Sequence, residues 1–100
     1  MNIPEQFQLA GQTVKVTYDK DLLGKEDMFG YFDPKQMIIS VNSPGAVISK
    51  ERTEQAFFHE LVHAILDEMG ELKLSKNERF VDSFSTLLHQ AIKTFQGQAQ

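Results

Sequence analysis

Residues 57–66 read Phe57-Phe58-His59-Glu60-Leu61-Val62-His63-Ala64-Ile65-Leu66, an apolar, strongly helical run with three polar residues at fixed offsets. On a helix, residues four apart share a face and differ by about 6 Å along the axis. His59 and His63 can therefore turn ring nitrogens toward one metal ion. Glu60 is rotated about 100° from His59, so it can reach a water at that metal from the side without being a ligand. This is the spacing with which a metal acidifies water and a carboxylate takes the proton as the water attacks a carbonyl. Two histidines in a helix rich in Leu, Val and Ala could also line a polar patch. Three specified residues, flanked on both sides by side chains apolar enough to bury the helix, favour the metal, and the search for a third ligand decides the matter.

The composition sets the frame. One hundred residues suffice for one domain with a modest core, and 41% apolar with 24% charged residues is ordinary for a globular protein. The net charge of -4 gives no electrostatic grip on DNA or RNA. No apolar run has the length of a membrane span, so neither nucleic acid nor membrane is expected as a partner. Met1-Asn2-Ile3-Pro4-Glu5-Gln6 lacks the basic and apolar regions of a signal peptide. With no cysteine there are no disulfides or thiolate metal sites. A cytoplasmic location is expected, and any metal must be held by His, Asp or Glu.

Around the central run the chain reads in order. Val14, Val16 and Tyr18 alternate with Thr13, Lys15 and Thr17, which predicts a half-buried strand within 7–18, with Gly11 marking a turn that splits off a shorter first strand. Asp19 to Asp27 reads as a polar connection. Met28-Phe29-Gly30-Tyr31-Phe32 and Met37-Ile38-Ile39-Ser40-Val41 flank Asp33-Pro34-Lys35-Gln36, a hairpin in which Pro34 presets φ at the second turn position. Gly30 inside a strand implies a bulge or a close backbone approach. Ser49 is the expected N-cap of a helix of about twenty residues ending at Met69 and Gly70. Leu72 and Leu74 read as linker, and a second helix starts at Ser75 and continues through Phe80, Phe84, Leu87, Leu88, Ala91, Ile92 and Phe95. Residues 1–95 are expected to form one domain, with 96–100 a frayed polar tail.

A catalytic zinc takes three protein ligands and a water. Asp67 is four residues beyond His63, but its short side chain would have to reach back a full turn. Glu68 and Glu71 mark the helix end. The second helix offers better geometry, because packing it on the first brings a new side chain over the metal. Glu78 and Asp82 share one face: Glu78 could complete a His2Glu site, and Asp82 could hydrogen-bond the far nitrogen of a liganding histidine and fix its tautomer. Against this stands a capping box, Ser75-x-x-Glu78, in which Glu78 would satisfy a backbone N–H at the helix start instead. His-Glu-x-x-His otherwise lacks its partner, which favours the ligand role. His89 shares the face of Glu78 and Asp82 but lies about 16 Å along the axis, which favours a surface or core-edge histidine over a role at the metal.

The pairing of Glu78-Arg79-Phe80-Val81-Asp82 with His59-Glu60-x-x-His63 resembles the gluzincin metallopeptidases, in which a glutamate on a second helix is the third ligand. Gly30-Tyr31-Phe32-Asp33-Pro34-x-x-x-Ile38-Ile39-x-Val41-Asn42, then Glu51-Arg52, then His59-Glu60-Leu61-Val62-His63, is similar to the ImmA/IrrE-type metallopeptidases over roughly residues 28–88. Those proteins are common in phages and mobile elements and cleave regulatory proteins such as phage-type repressors. The resemblance implies a substrate of that class in a bacterial cytoplasm. Arg79-Phe80-Val81-Asp82-Ser83-Phe84-Ser85 departs from the small residues and Met-Pro ending typical of that family.

The expectation is thus an α+β, zincin-like domain: a small antiparallel sheet of about three to four strands packed on two main helices, the first carrying His59-Glu60-x-x-His63. One zinc ion per chain would sit on His59, His63 and Glu78, with Glu60 as general base and Asp82 behind a ligand. Tyr31 and His89 are candidates for steadying an oxyanion or touching substrate. An edge strand could hold an extended peptide by backbone pairing, with the hairpin around Met37 to Val41 the favoured candidate and the identity of the edge strand left open by the sequence. The rival is a binding or regulatory module with a structural or blocked zinc site. An intact Glu60 argues against it, since a structural site needs no base.

Overall fold

The computed structural model describes residues 2–96, without the side chain of Gln96; the expected frayed tail therefore lies outside the described residues beyond that position. Among the described residues eight elements follow one another: β1 (Gln6–Leu9), β2 (Gln12–Asp19), α1 (Leu22–Glu26), β3 (Gly30–Asp33), β4 (Ile38–Asn42), α2 (Lys50–Glu68), α3 (Leu72–Lys76) and α4 (Glu78–Gln96). The class is α+β, and among the described residues no helix is long and apolar enough to cross a membrane.

Local chemistry accounts for the turns. Ala10 and Gly11 both have positive φ, 51° and 78°, which is the two-residue turn whose twist matches an antiparallel hairpin. Gln12 then pairs with Leu9. The Asp33 carboxylate accepts from the backbone N–H of Lys35 and Gln36, holding the turn that Pro34 begins. Ser49 caps α2 by accepting from the N–H of Arg52 at 3.0 Å. At its other end Gly70, with φ 76°, follows Met69, and the N–H of Glu71 returns to the carbonyl of Leu66.

The strand order is β1-β2-β4-β3, and this corrects the expected sheet. β1 pairs antiparallel with β2 and β3 antiparallel with β4, but β2 and β4 run parallel, from Lys15 opposite Ile38 to Asp19 opposite Asn42. The sheet is mixed because the chain leaves β2, passes α1, lays β3 at the far edge and turns back into the gap. β4 is therefore interior. Of the hairpin around Met37 to Val41, the strand at the edge beside the helices is β3. A hairpin signal identifies two partners but not which of them meets a third strand. Two short helices, α1 and α3, also occupy stretches expected as connections; five residues each are too few to display a 3.6-residue period.

α2 lies between the sheet and α4. Toward the sheet, Phe57, Phe58 and Ala56 pack with Val14, Met37, Ile39 and Val41. Toward the other helices, Val62 and Leu66 pack with Val81, and Leu74, Phe80 and Leu88 close the seam. A helix buried on two sides has little freedom to shift, so the side chains it carries are held to fixed positions. The Thr53 hydroxyl donates to the carbonyl of Asn42 at 2.9 Å, tying the start of α2 to the end of β4.

Candidate metal centre

His59 and His63 sit one turn apart in the middle of α2, with ring centroids 4.9 Å apart. α4 crosses them with its first turn. Oε2 of Glu78 stands 3.2 Å from Nε2 of His59, and Oε1 stands 3.3 Å from Nε2 of His63. One ligand atom from each of the three residues lies within 4.8 Å of the others. Donors bonded to a tetrahedral zinc at its usual distances stand ~3.3 Å from one another, so the separations to Glu78 fit a zinc-sized cation. The donor set of two imidazoles and one carboxylate suits zinc among first-row metals.

The competition over Glu78 is resolved by a residue that the sequence reading passed over. Asn77, with an extended backbone, ends α3 and accepts from the N–H of Phe80 at 3.1 Å. Asn77 is the cap of α4, which leaves the Glu78 carboxylate to face the histidines. Ser75 is not the start of that helix. It is buried in α3, where its hydroxyl meets Nδ1 of His63 at 3.1 Å.

Both rings are thus held from behind. Oδ1 of Asp82 lies 2.9 Å from Nδ1 of His59, one turn along α4 from Glu78. For either Nε2 to offer a lone pair, Nδ1 must carry the proton, and Asp82 and Ser75 are the groups that accept it. The position of Asp82 follows from its spacing to Glu78. That of Ser75 carries no comparable signal, because it depends on the short α3 turning back across the end of α2.

Glu60 lines a cleft of about 450 Å³ together with Met28, Phe29, Gly30, Arg52, His59 and Asp82, among others. Its burial, and secondly the charge of Glu78, push its carboxyl up to about 7. Gly30 is the close approach that its sequence context implied. A Cβ there would come within 2.9 Å of the Ser40 carbonyl and 3.4 Å of Cγ of Glu60. The absent side chain lets the edge strand lie directly against the general-base candidate.

Two candidates fall away. His89 is buried at the other end of the α2–α4 seam, where Nε2 meets Oε1 of Glu54 and Nδ1 meets Oε1 of Gln55, each at 3.0 Å. Its ring stacks on Phe58 with centroids 5.1 Å apart. With both nitrogens engaged inside the protein, it has none to offer a substrate. Tyr31 points to the sheet face opposite α2, because Gly30 and Phe32 take the near face and strand side chains alternate. It lines a separate depression with Asp19, Leu22 and Lys25. Arg52 was not anticipated in the cleft, although it lies seven residues before His59 and so shares its face.

Comparison of the chain with protein-family models, with curated proteins and with solved structures finds no match. The site is therefore read from its own residues.

Proposed function

We propose that this protein is a zinc-dependent endopeptidase of gluzincin type, with His59, His63 and Glu78 as the metal ligands. The observation that carries the reading is the convergence of one carboxylate from α4 on the Nε2 atoms of both α2 histidines, at 3.2 and 3.3 Å, with a buried carboxylate beside them. When bound, zinc supplies Lewis acidity, which lets water act as a nucleophile near neutral pH.

The chain's own groups supply the rest. Glu60 takes a proton at its carboxylate from the attacking water and gives it to the departing amide nitrogen, so that water is added across the C–N bond to yield an acid and an amine. Asp82 and Ser75 keep the rings of His59 and His63 in the tautomer that presents Nε2. The Phe29 carbonyl accepts from the Asn42 N–H, so alternation turns the main-chain groups of Gly30 and Phe32 outward from the sheet. An extended peptide can pair with those groups beside Glu60. The order of hairpin, His-Glu-x-x-His helix and glutamate-bearing helix supports affinity with the ImmA/IrrE-type metallopeptidases. A regulatory or repressor-like protein as substrate and the cytoplasm as the place of action belong to the same proposal.

The test is metal content together with proteolysis, in wild type, Glu78→Ala and Glu60→Gln. Wild type should carry one zinc per chain, Glu78→Ala should lose it or bind it far more weakly, and Glu60→Gln should keep it while losing about 10²–10⁴-fold in kcat. Zinc retained in Glu78→Ala would remove the triad, and undiminished activity in Glu60→Gln would remove the mechanism.

A further inference from the structure

The cleft that holds His59 and Glu60 extends along α2 to Arg52, whose guanidinium carbon sits 4.8 Å from the centroid of the Phe29 ring. Stacking of this kind uses the face of the guanidinium and leaves its in-plane N–H donors free. The adjacent acid, Glu51, is engaged by Lys93 at 2.8 Å, and Arg52 makes no side-chain ion pair among the described residues. Gln55 beside it is locked, with its amide nitrogen donating to Ser85 and Thr86 and its oxygen meeting His89. Arg52 is therefore an oriented cation with unused donors, in a cleft whose other charged groups among the described residues are Glu60 and Asp82.

Its distance from the chemistry is set by the helix. Seven residues separate the backbones of Arg52 and His59 by about 10 Å along the axis, at most about three residues of extended peptide. Phe29, which Arg52 covers, immediately precedes Gly30 beside Glu60, so a strand laid along β3 would run from one to the other. We infer that Arg52 determines specificity by receiving a carboxylate of the peptide substrate, within about three residues of the bond that is cut. The carboxylate comes from an acidic side chain or from a chain terminus, and a planar guanidinium fork matches either. A doubly charged phosphate would be repelled more strongly by Glu60 and Asp82. The inference rests on the peptidase reading above.

Hydrolysis of fluorogenic peptide mixtures, randomised except at one position, separates the two sources. One set fixes Glu or Gln at each of about three positions to either side of the cut, and a second compares a free with an amidated C-terminus within that distance. Zinc-loaded wild type should prefer one carboxylate form about tenfold, Arg52→Gln should bring that ratio toward one, and Arg52→Lys should fall between. Equal hydrolysis of all forms by wild type, or an unchanged ratio in Arg52→Gln, would overturn the assignment while leaving the peptidase intact. The same peptides are bound in parallel to zinc-loaded Glu60→Gln, with and without Arg52→Gln, and followed by fluorescence anisotropy. A carboxylate-dependent affinity that vanishes with Arg52 supports the assignment even if no peptide is cut, in which case it is the peptidase reading that fails. No carboxylate dependence in either assay overturns the role of Arg52.

Discussion

The seam between α2 and α4 is joined twice by histidine and carboxylate, and the two joints differ in burial. At one end His89 and Glu54 meet with side chains only 6% and 4% exposed, closed in by Phe58 and Gln55. At the other, His59 and His63 meet Glu78 and Asp82, whose side chains are 63% and 65% exposed. The same residue types therefore do different work. A sealed pair has satisfied its own hydrogen bonds and holds two helices together. An open pair of imidazoles, each with Nδ1 fixed and Nε2 aimed at a shared carboxylate, is arranged to receive something else. A histidine four residues from another, with an acid on the next helix, is informative only once burial and the partner of each nitrogen are known.

The sharpest way to break this contrast is at the sealed joint. His89→Ala removes one partner of a buried pair and should cost about 3 kcal/mol of stability in urea unfolding, while zinc affinity measured by competition changes little. A loss of zinc comparable to that of Glu78→Ala would make the two joints one network and end the distinction.

The next effect sets the metal-free protein against itself as pH changes. Glu60 is raised to about 7 in the folded chain, above its unfolded value, so the folded state holds the proton more tightly. Its contribution to stability is fully present below the unfolded pKa and is lost as pH rises through about 7. In protein stripped with chelator, Glu60→Gln should therefore be more stable than wild type at pH 8, by about 2 kcal/mol, and no more stable at pH 4. Equal melting curves at both pH values would show that burial does not penalise this carboxylate.

The smallest effect belongs to the open joint. Asp82→Asn leaves the shape but weakens the acceptor behind His59, and should reduce zinc affinity about tenfold. Because Asp82 is exposed, metal-free stability should move by less than about 0.5 kcal/mol. A large loss of stability without loss of zinc would assign Asp82 to the sealed kind of joint.

Much of this site was legible because its spacing is local. One helix carries His59, Glu60 and His63, and another carries Glu78 and Asp82, so helical geometry alone groups each set. The ends of α2 were equally readable, with Ser49 as N-cap and the left-handed Gly70 one residue past the Met69 C-cap, each a residue type with a specific backbone task. What escaped depended on contacts between elements. Ser75 was read as a cap because Asn77, which holds that role, differs from it only in where α3 happens to end. His89 reads as a surface or core-edge histidine from its distance along the helix, but its partners Glu54 and Gln55 come from another helix, and neither they nor its burial leave a local signal. The parallel pairing of β2 with β4 joins residues 23 positions apart, from Lys15 to Ile38, and no local pattern records it.

The position of β3 at the sheet edge also bears on how copies of the chain meet one another in concentrated solution. Unpaired main-chain groups on an edge strand are a template for a second strand, whether that strand comes from a peptide or from another copy. Here the exposure is brief. β3 has four residues and ends on Asp33 with Pro34 following, so the open edge stops at a charge and at a residue with no N–H to offer. A short, guarded edge limits self-association while leaving room for a guest strand.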